Sequence, residues 1–499
     1  MRERLFTIKP KASMPLQQKR QYSPAAIIAV LAVSGMGVSL MHTLLVPLLS
    51  DLPELLNAST DDVSWVVTAT LLAAAVATPT LSRLADMYGK QRIMLVCLGL
   101  LLAGSVLGAL SNSLLLIIVA RVLQGASSAL IPIGISIMRD ELPAEKLSAA
   151  VALMSATLGV GAAMGMPMAG IIFTTLGWHA VFWVSGLFAI LMAIAILIVV
   201  RESEIRTGGT FDYLGAVLLS GALTSLLLGI SKGGSWGWTS QQTLLTFGIS
   251  AAIFAVWAPW EFQTKQPLVD LRISLKRPVL MTNISAIVMG FAMYANMLST
   301  LQMLEMPTIT GYGHGLTPLQ AGIAMIPTSL TMVILAPISA SVTRRFGAKI
   351  TLITGALIMA FGYILRGFMH ETVTLIMIAA VIVAAGTAVS YAAMPILIMG
   401  SVPETETAAA NGLNTLLRSV GASVSSAAVA SILSITTLTV AGQALPSLAA
   451  FQHIFWIAAA ASLIGALVAM AIPRPIHLEL EPIDPALVEE LTHQHEAIK

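Results

Sequence analysis

The stretch Leu81-Ser-Arg-Leu-Ala-Asp-Met-Tyr-Gly-Lys-Gln-Arg92 is a short basic turn between two long apolar runs. It holds one carboxylate, Asp86, and one glycine, Gly89, which suits a tight turn because glycine has no Cβ. It also holds three cations, Arg83, Lys90 and Arg92.

A second basic turn, Ser341-Val-Thr-Arg-Arg-Phe-Gly-Ala-Lys349, lies at the matching place in the other half of the chain. Gly347 corresponds to Gly89, and Arg344 stands where the first turn has Asp86. Internal repetition of this kind is typical of membrane transporters built from duplicated halves.

The composition excludes a water-soluble protein. The chain has 499 residues, of which 57% are hydrophobic and 10% charged, whereas soluble domains carry roughly 25% charged residues. The net charge of +2 does not suggest a nucleic-acid partner, and the single cysteine, Cys97, excludes an internal disulfide. We therefore expect a polytopic protein whose partner is the lipid bilayer.

Apolar stretches long enough to cross a bilayer as helices determine the predicted architecture, since a span takes roughly 20 residues. Their approximate cores are 25–48, 64–82, 93–110, 113–138, 147–174, 178–200, 212–231, 243–260, 279–303, 318–342, 348–369, 372–399, 408–434 and 450–472. The sequence thus predicts an all-α protein with fourteen transmembrane helices.

The cations orient the chain, because Lys and Arg accumulate on the cytoplasmic side. With both termini inside, 22 of the 26 Lys and Arg residues fall in cytoplasmic segments, and only Lys232 lies outside. We expect a multi-pass protein of the inner (cytoplasmic) membrane with both termini in the cytoplasm.

The repeat divides the chain into two six-helix lobes with two extra helices between them. The predicted segments are a cytoplasmic tail 1–24, an N-terminal lobe 25–200, a linker 201–278 with two extra spans, a C-terminal lobe 279–473 and a cytoplasmic tail 474–499.

Five motifs resemble the major facilitator superfamily, and in particular its fourteen-helix drug:proton antiporter group. The 81–92 stretch resembles the loop motif G-x-L-A-D-R-x-G-R-x-R, with Ser82 and Met87 departing from it. Four further stretches resemble motifs of the same group: Arg121–Gly125 on helix four, Gly161–Gly170 on helix five, Phe211–Gly215 at the first extra helix and Asn411–Arg418 on helix thirteen.

The resemblance implies that the first basic turn lies against the start of helix thirteen. An anion is favoured near a helix N-terminus. We expect Asp86 and the loop cations to hold the two lobes together, with Glu404 and Glu406 as partners for Arg83, Lys90 or Arg92. The alternative is an ordinary basic cytoplasmic loop.

Three arginines lie within predicted helices, where a guanidinium is costly unless it faces the bundle interior or water. The resemblance assigns Arg121 a part in proton coupling, with Gln124 beside it, and Arg418 is a second interior cation. Arg366, near the outer end of helix eleven, is interpreted as extending to the membrane surface.

Small residues on helix five allow close packing of helices, and a proline loosens the backbone. This antiporter helix, with Gly161, Gly165, Pro167 and Gly170, is predicted at the lobe interface.

No carboxylate lies deep inside a predicted helix. The resemblance implies an aspartate in helix one of many cationic-drug exporters, nine residues before a proline, and Val38 occupies that place before Pro47. A buried cation site needs a carboxylate or aromatic rings. The sequence therefore favours a neutral, zwitterionic or anionic amphiphile.

Proton binding and substrate contact have weaker candidates. Glu305, at the outer end of helix nine, is the candidate proton-binding carboxylate, and a solvated loop acid is its alternative. Candidates for the substrate cavity are a titratable group, aromatic rings, an amide and flexible thioethers: His42, Tyr294, Asn296, Met293, Met297 and Tyr391.

These observations predict a proton-coupled exporter of amphiphilic small molecules, acting as a monomer without a metal or other cofactor. No nucleophile triad or phosphate-binding loop is present, so enzymatic chemistry is not expected. The alternatives are an uptake system for a small, possibly anionic solute, with Arg121 and Arg418 as counter-charges, and a lipid-handling module without proton coupling.

Overall fold

The computed structural model describes residues 23–473 except 46, 47, 49, 50, 441 and 442, without the side chains of 60, 61, 158, 162, 163, 166 and 167. The predicted tails and Pro47 lie outside this part. The long helices within it are α1 (Pro24–Thr43), α2 (Thr60–Tyr88), α3 (Lys90–Leu110), α4 (Leu114–Glu141), α5 (Ala144–Leu176), α6 (His179–Val199), α7 (Tyr213–Trp236), α8 (Gln241–Gln263), α9 (Arg277–Glu305), α10 (Pro318–Phe346), α11 (Ala348–Arg366), α12 (Val373–Met399), α13 (Thr407–Ile435) and α14 (Leu448–Met470).

Each predicted apolar stretch coincides with one of these helices. Thirteen are long and apolar enough to cross a bilayer on their described residues. The remaining stretch, 147–174, lies in α5, which has 33 residues. Two helices contain a local irregularity: α4 has a 3-10 turn at Ser127–Ala129, and α10 is interrupted at Met325.

The basic turns are tighter than the sequence suggested. Arg83 and Asp86 lie in α2, and α3 starts at Lys90, so Gly89 alone separates the two helices. Gly89 has φ +120° and Gly347 has φ +84° between α10 and α11, a backbone region that glycine tolerates. A single glycine completes each turn, so the charged residues continue the helices.

Each half of the chain encloses its own apolar core. The N-terminal core contains Leu31, Met94 and Phe182, and the C-terminal core contains Met359 and Phe451, all at most 1% exposed. Burial of this kind holds each six-helix lobe together as a unit.

The two lobes meet along two seams. In the first seam, α5 of the N-terminal lobe packs against α10 and α12. In the second seam, α2 packs against α13. We call the end of the bundle that contains Asp86 and the start of α13 the basic end, and the other the opposite end.

The extra helices α7 and α8 pack on each other, and α7 also contacts both α2 and α13. Leu219 of α7, Trp257 of α8 and Leu416 of α13 share one apolar cluster. Lys232, predicted in an outer loop, lies instead in α7. The prediction ended this helix too early, because α7 continues beyond the apolar stretch to Trp236. The Lys232 ammonium donates to Ser64 Oγ at 2.7 Å.

A short hairpin covers the opposite end of the C-terminal lobe. Strands β1 (Thr437–Val440) and β2 (Gln443–Pro446) are antiparallel, and the Tyr312 hydroxyl donates to Pro446 O. Burial raises the pKa of Tyr312 to about 12, so this phenol remains a neutral donor at physiological pH.

Candidate functional site

Asp86 joins the two lobes at the basic end. Its carboxylate is fully buried and accepts the backbone N–H groups of Ala408 at 3.2 Å and Ala409 at 2.8 Å. These N–H groups belong to the first turn of α13, where they have no partner within the helix and carry partial positive charge. The carboxylate of one lobe thus caps a helix of the other.

Two arginines of the N-terminal lobe extend the same contact. Arg83 Nη1 lies 3.8 Å from Glu406 Oε1, which is the predicted pairing of a loop cation with this acid. Arg139 donates to Thr407 Oγ1 at 2.6 Å and to Val402 O at 3.4 to 3.5 Å. Both guanidiniums therefore hold the chain just before α13.

The linker contributes one further residue. The Thr207 amide donates to Asp86 O at 2.9 Å, and its hydroxyl donates to Thr405 O at 2.7 Å. We call Arg83, Asp86, Arg139 and Thr207, with their partners in 402–409, the interlobe cluster.

The predicted pairing of Lys90 and Arg92 with Glu404 or Glu406 is wrong. Lys90 Nζ lies 2.6 Å from Asp140 Oδ2 and only 4.0 Å from Asp86 Oδ1. Arg92 Nε lies 3.5 Å from Glu202 Oε2, which also accepts the Arg92 amide. Both cations lie in the first turn of α3, where the Lys90 side chain is buried against Asp140 of the same lobe and the Arg92 side chain is 68% exposed beside Glu202.

Arg121 and Gln124 form a buried polar group with α1 and α3. Arg121 donates to Met41 O at 3.1 Å and to Gln124 Oε1 at 2.9 Å, and Gln124 donates to Ser105 Oγ at 3.0 Å. His42, next to Met41, lies 3.0 Å from Ser128 Oγ. Arg121 and Gln124, which were predicted for proton coupling, are therefore neighbours of His42, which was predicted for the substrate cavity.

Arg418 lies at the lobe interface. Its guanidinium is 4.7 Å from the centre of the Tyr391 ring, a cation–π contact, and donates to Thr415 Oγ1 at 3.1 Å. Tyr391 O accepts the Ser155 hydroxyl of α5 at 3.2 Å. A cation, an aromatic ring and the first seam thus meet at one place.

Asn296 lies inside the C-terminal lobe. It binds Ala380 O at 3.3 Å and accepts Arg366 Nη1 at 2.5 Å. Arg366 is 2% exposed and lies 4.2 Å from the Phe455 ring centre, so it does not extend to the membrane surface. The Asn296 amide therefore satisfies one of the N–H groups of the buried Arg366 guanidinium. Met293, Tyr294 and Met297 lie on the same helix and are half-buried.

The sequence profile of the Major Facilitator Superfamily matches residues 30–313 and again 283–489. The chain belongs to the Major Facilitator Superfamily. The two lobes and the interlobe contact agree with this assignment, and the resemblance read from the five motifs is confirmed at the level of the superfamily.

Relatives within the superfamily carry names that refer to resistance or export. The tetracenomycin C resistance and export protein of Streptomyces glaucescens is 30% identical over 68% of this chain, although the match spans only 62% of that relative. The multidrug resistance protein Stp of Mycobacterium tuberculosis (strain CDC 1551 / Oshkosh) is 25% identical over 81% of this chain and 76% of its own.

A solved structure shares the fold. The crystal structure of the human organic anion transporter MFSD10 (TETRAN) superposes with a TM-score of 0.64, covering 90% of this chain and all of that one. The sequence identity is 15%, so this likeness concerns the fold alone.

The glycines of this facilitator's α5 have different neighbours. A Cβ on Gly161 would lie 2.3 Å from Met36 O, and one on Gly165 would lie 1.9 Å from Thr43 Oγ1. Gly170 has only Leu319 at 3.8 Å, and the Pro167 side chain lies outside the described residues. Gly161 and Gly165 therefore bring α5 against α1 within one lobe.

Glu305 is the last residue of α9 and is half-buried. Within the described part of the chain its carboxylate has no hydrogen bond or ion pair. The same part contains no group of three or more His, Cys, Asp or Glu side chains that could hold a metal ion.

Several residues at the basic end were not found from the sequence. Arg139 and Asp140 lie in the last turn of α4, and Glu202 and Thr207 lie in the linker after α6, so a position near a helix end is the only sequence signal they carry. Which of these charges meet depends on helix packing.

The second basic turn does not reproduce the interlobe contact. Arg344 donates to Ser341 Oγ within its own helix, and Lys349 donates to Met470 O at 2.8 Å and Ile472 O at 2.5 Å. These contacts stay within the C-terminal lobe because this turn has no acid where the first has Asp86.

Proposed function

We propose that this protein is a proton-coupled exporter of amphiphilic small molecules that works by alternating access. The observation that carries the proposal is the capping of α13 by Asp86, a polar contact between two lobes that each have an apolar core of their own. When the lobes rock apart, the carboxylate and the N–H groups can each bind water instead of one another, whereas the apolar core of each lobe stays intact.

The direction of transport is inferred from the relatives. The Streptomyces glaucescens relative is named a resistance and export protein, and the Mycobacterium tuberculosis relative a multidrug resistance protein. With the basic end in the cytoplasm, as the positive-inside rule favours, the interlobe cluster closes the cytoplasmic entrance. Release would then occur at the opposite end.

The buried charges support uncharged or anionic substrates. Arg121, Arg366 and Arg418 are at most 6% exposed, and none forms an ion pair with a carboxylate in the described residues. A second cation beside any of them would be disfavoured by repulsion at low dielectric constant. Arg418 with Tyr391 is the group best placed at the lobe interface to meet an anionic or aromatic ligand.

The proton carrier is proposed to be Glu305, the unpaired acid at the end of α9. Arg121 and Gln124 are proposed to couple its protonation to helix movement through α1. Arg121 and Gln124 lie in the N-terminal lobe and Glu305 in the C-terminal lobe, so coupling requires that the two lobes move together.

An uptake system for a small anion is the second candidate. It is favoured by the same unpaired guanidinium of Arg418, which offers a counter-charge at the interface. In uptake, protons and solute would cross the membrane in the same direction, whereas in export they cross it in opposite directions.

The decisive experiment measures proton flux in liposomes that contain the purified protein and an imposed pH gradient. Neutral, anionic and cationic amphiphiles are added in turn. We expect neutral or anionic compounds to release protons into the acceptor compartment in exchange, and Glu305→Gln and Arg121→Ala to abolish this flux. Solute and protons moving in the same direction would support uptake, and no flux with any compound would contradict coupled transport.

A further inference from the structure

A cavity of about 490 Å³ opens in the second seam, between α2, α13 and the extra helix α7. It lies in the half of the bundle towards the opposite end, near the last residues of α13. Its volume falls in the range of drug-sized ligand pockets, about 300–1,000 Å³. The cavity is distinct from the Arg418 and Tyr391 group, because neither residue lines it.

Two helices present hydroxyl groups to this cavity at helical spacing. Ser423, Ser426 and Ser434 lie on one face of α13 with Ala427 and Ala430 between them. On α7, Ser231 and Ser235 face them. Residues three, four, seven and eight apart share a face of a helix, so these serines lie on the face of α13 that lines the cavity.

Apart from Thr68, whose hydroxyl lies 3.3 Å from Ser231 Oγ, the remaining lining is apolar and uncharged. Leu71 and Leu72 of α2 and Leu227 and Ile230 of α7 complete the wall, and no charged side chain is among the described lining residues. The nearby Lys232 is engaged with Ser64 and with the Trp65 ring. A charged ligand would lose its hydration here without gaining a counter-ion.

The hydroxyls are arranged as acceptors. Ser423 donates to Ser419 O at 3.0 Å and Ser434 to Ser431 O at 2.9 Å, which leaves the lone pairs of each oxygen free. Ser426 forms no hydrogen bond with any described residue. A ligand that brings its own hydroxyl, phenol or amide donors fits this lining.

The rim of the cavity is exposed on the side of the bundle. Leu71, Trp238 and Ile435 are 38%, 40% and 79% exposed. Trp238 donates to Ser431 Oγ at 3.0 Å, and an indole at a helix end is typical of the membrane interface. A ligand therefore reaches this cavity sideways, from the bilayer.

The first seam is closely packed at Gly159, where an added Cβ would lie 2.0 Å from Met332 Sδ. The extra helix α7 contacts α2 and α13, which form the second seam.

We propose that this cavity is a lateral binding site for an uncharged amphiphile with hydrogen-bond donors, and that α7 forms its outer wall. The proposal rests on the transport function proposed above, since the exported compound is the occupant to which we commit. The extra helices would then shape a route between the interlobe space and the outer half of the bilayer.

Cysteine protection tests the site. In a Cys97→Ser background, which removes the single natural cysteine, Ser426→Cys is placed in the cavity. Val424→Cys is the matched control, because Val424 lies on the same turn, is 39% exposed and does not line the cavity. Both are labelled in phosphatidylcholine liposomes with a membrane-permeant maleimide, with or without hydrocortisone, chloramphenicol or tetraphenylphosphonium.

We expect hydrocortisone or chloramphenicol to slow labelling of Ser426→Cys about tenfold and to leave Val424→Cys unchanged, and the tetraphenylphosphonium cation to protect neither. Equal protection at both positions, protection by the cation, or no protection would overturn the proposal. Slow labelling of Ser426→Cys that is independent of added compound would mean that a bilayer lipid fills the cavity, which also overturns it.

Filling the cavity gives a second test. Ser426→Trp should lower export of the protecting compound about tenfold, and Val424→Trp should leave it near the wild-type rate. Export at the wild-type rate in Ser426→Trp would refute the site while leaving export intact. Ligand protection in a protein that exports nothing would refute the proposed function while leaving the site intact.

Discussion

At the scale of single residues, the charged side chains of the first basic turn that hold the lobes together are buried, whereas Arg92 of the same turn is exposed to solvent. Asp86 is fully buried and both of its oxygens accept N–H groups, whereas Arg92 has a side chain that is 68% exposed. A buried carboxylate at a helix N-terminus is stabilised by charge-assisted hydrogen bonds and by the helix dipole. An exposed ion pair contributes little.

Asp86→Asn keeps the side-chain shape but removes the charge at the start of α13. We expect a loss of about 1–2 kcal/mol from the closed state, and therefore about five- to thirtyfold more opening at the basic end. A cysteine at Val402, in the Cys97→Ser background, reports this opening through its labelling rate with a membrane-impermeant maleimide.

Glu406→Gln is the control for the charge effect. The Arg83 pair with Glu406 is 3.8 Å long, so its loss should change labelling by less than about fivefold. Equal effects of the two substitutions would mean that Asp86 does not stabilise closure through α13.

Arg121→Ala should be more harmful than Arg121→Lys. Alanine leaves Met41 O and Gln124 Oε1 without their donor, at a cost of about 1–3 kcal/mol, whereas lysine keeps a cation and one hydrogen bond. The melting temperature in detergent measures this loss. A variant with the wild-type melting temperature but no proton flux would place the role of Arg121 in coupling instead of stability.

At the scale of elements, close approach of helices depends on a few glycines. Gly165 brings α5 against Thr43 of α1, and Gly412 brings α13 against Ser82 of α2. The first contact lies within a lobe and the second between lobes. Substitutions at the two positions should therefore affect different properties.

Gly165→Val should destabilise the N-terminal lobe, because its Cβ would overlap Thr43 Oγ1. Overpacking of this kind costs about 1–3 kcal/mol and should lower the melting temperature. Gly99→Val is the matched control, since nothing lies within 4 Å of a Cβ there. A normal melting temperature for Gly165→Val would show that α1 and α5 can separate freely.

At the scale of the whole molecule, the lobes are held by a polar cluster at the basic end and by largely apolar packing elsewhere, with the Ser155 hydroxyl donating to Tyr391 O in the first seam. The linker takes part in both, because Thr207 joins the interlobe cluster and α7 contacts α2 and α13. The extra helices are thus part of the second seam. Any movement of the lobes must rearrange them.

Gly412→Leu should shift the molecule towards opening at the basic end. Its Cβ would lie 2.6 Å from Ser82 Oγ, and an overlap of about 1–3 kcal/mol corresponds to about five- to 150-fold more opening. The cysteine at Val402 again reports the change. Gly248→Leu, with nothing within 4 Å, should leave labelling unchanged. Unchanged labelling in Gly412→Leu would indicate that α2 and α13 do not move apart there.

The fold followed from the sequence because a membrane span is a local property. Hydropathy over roughly 20 residues located each helix, and the glycines at 89 and 347 located the repeated turns. The proposed anchoring of Asp86 on α13 relied on the family resemblance, since no local pattern connects residues more than 300 positions apart.

Composition and periodicity by themselves determined that this chain is an all-α membrane protein with two related halves and few buried acids. Only the tertiary structure decided which charges meet: Arg139 with Thr407, Lys90 with Asp140, and Arg366 with Asn296 inside a lobe. It also decided that α7 borders the cavity in the second seam. The physical reason is that hydropathy acts along the chain, whereas a hydrogen bond or a cavity depends on how distant helices pack.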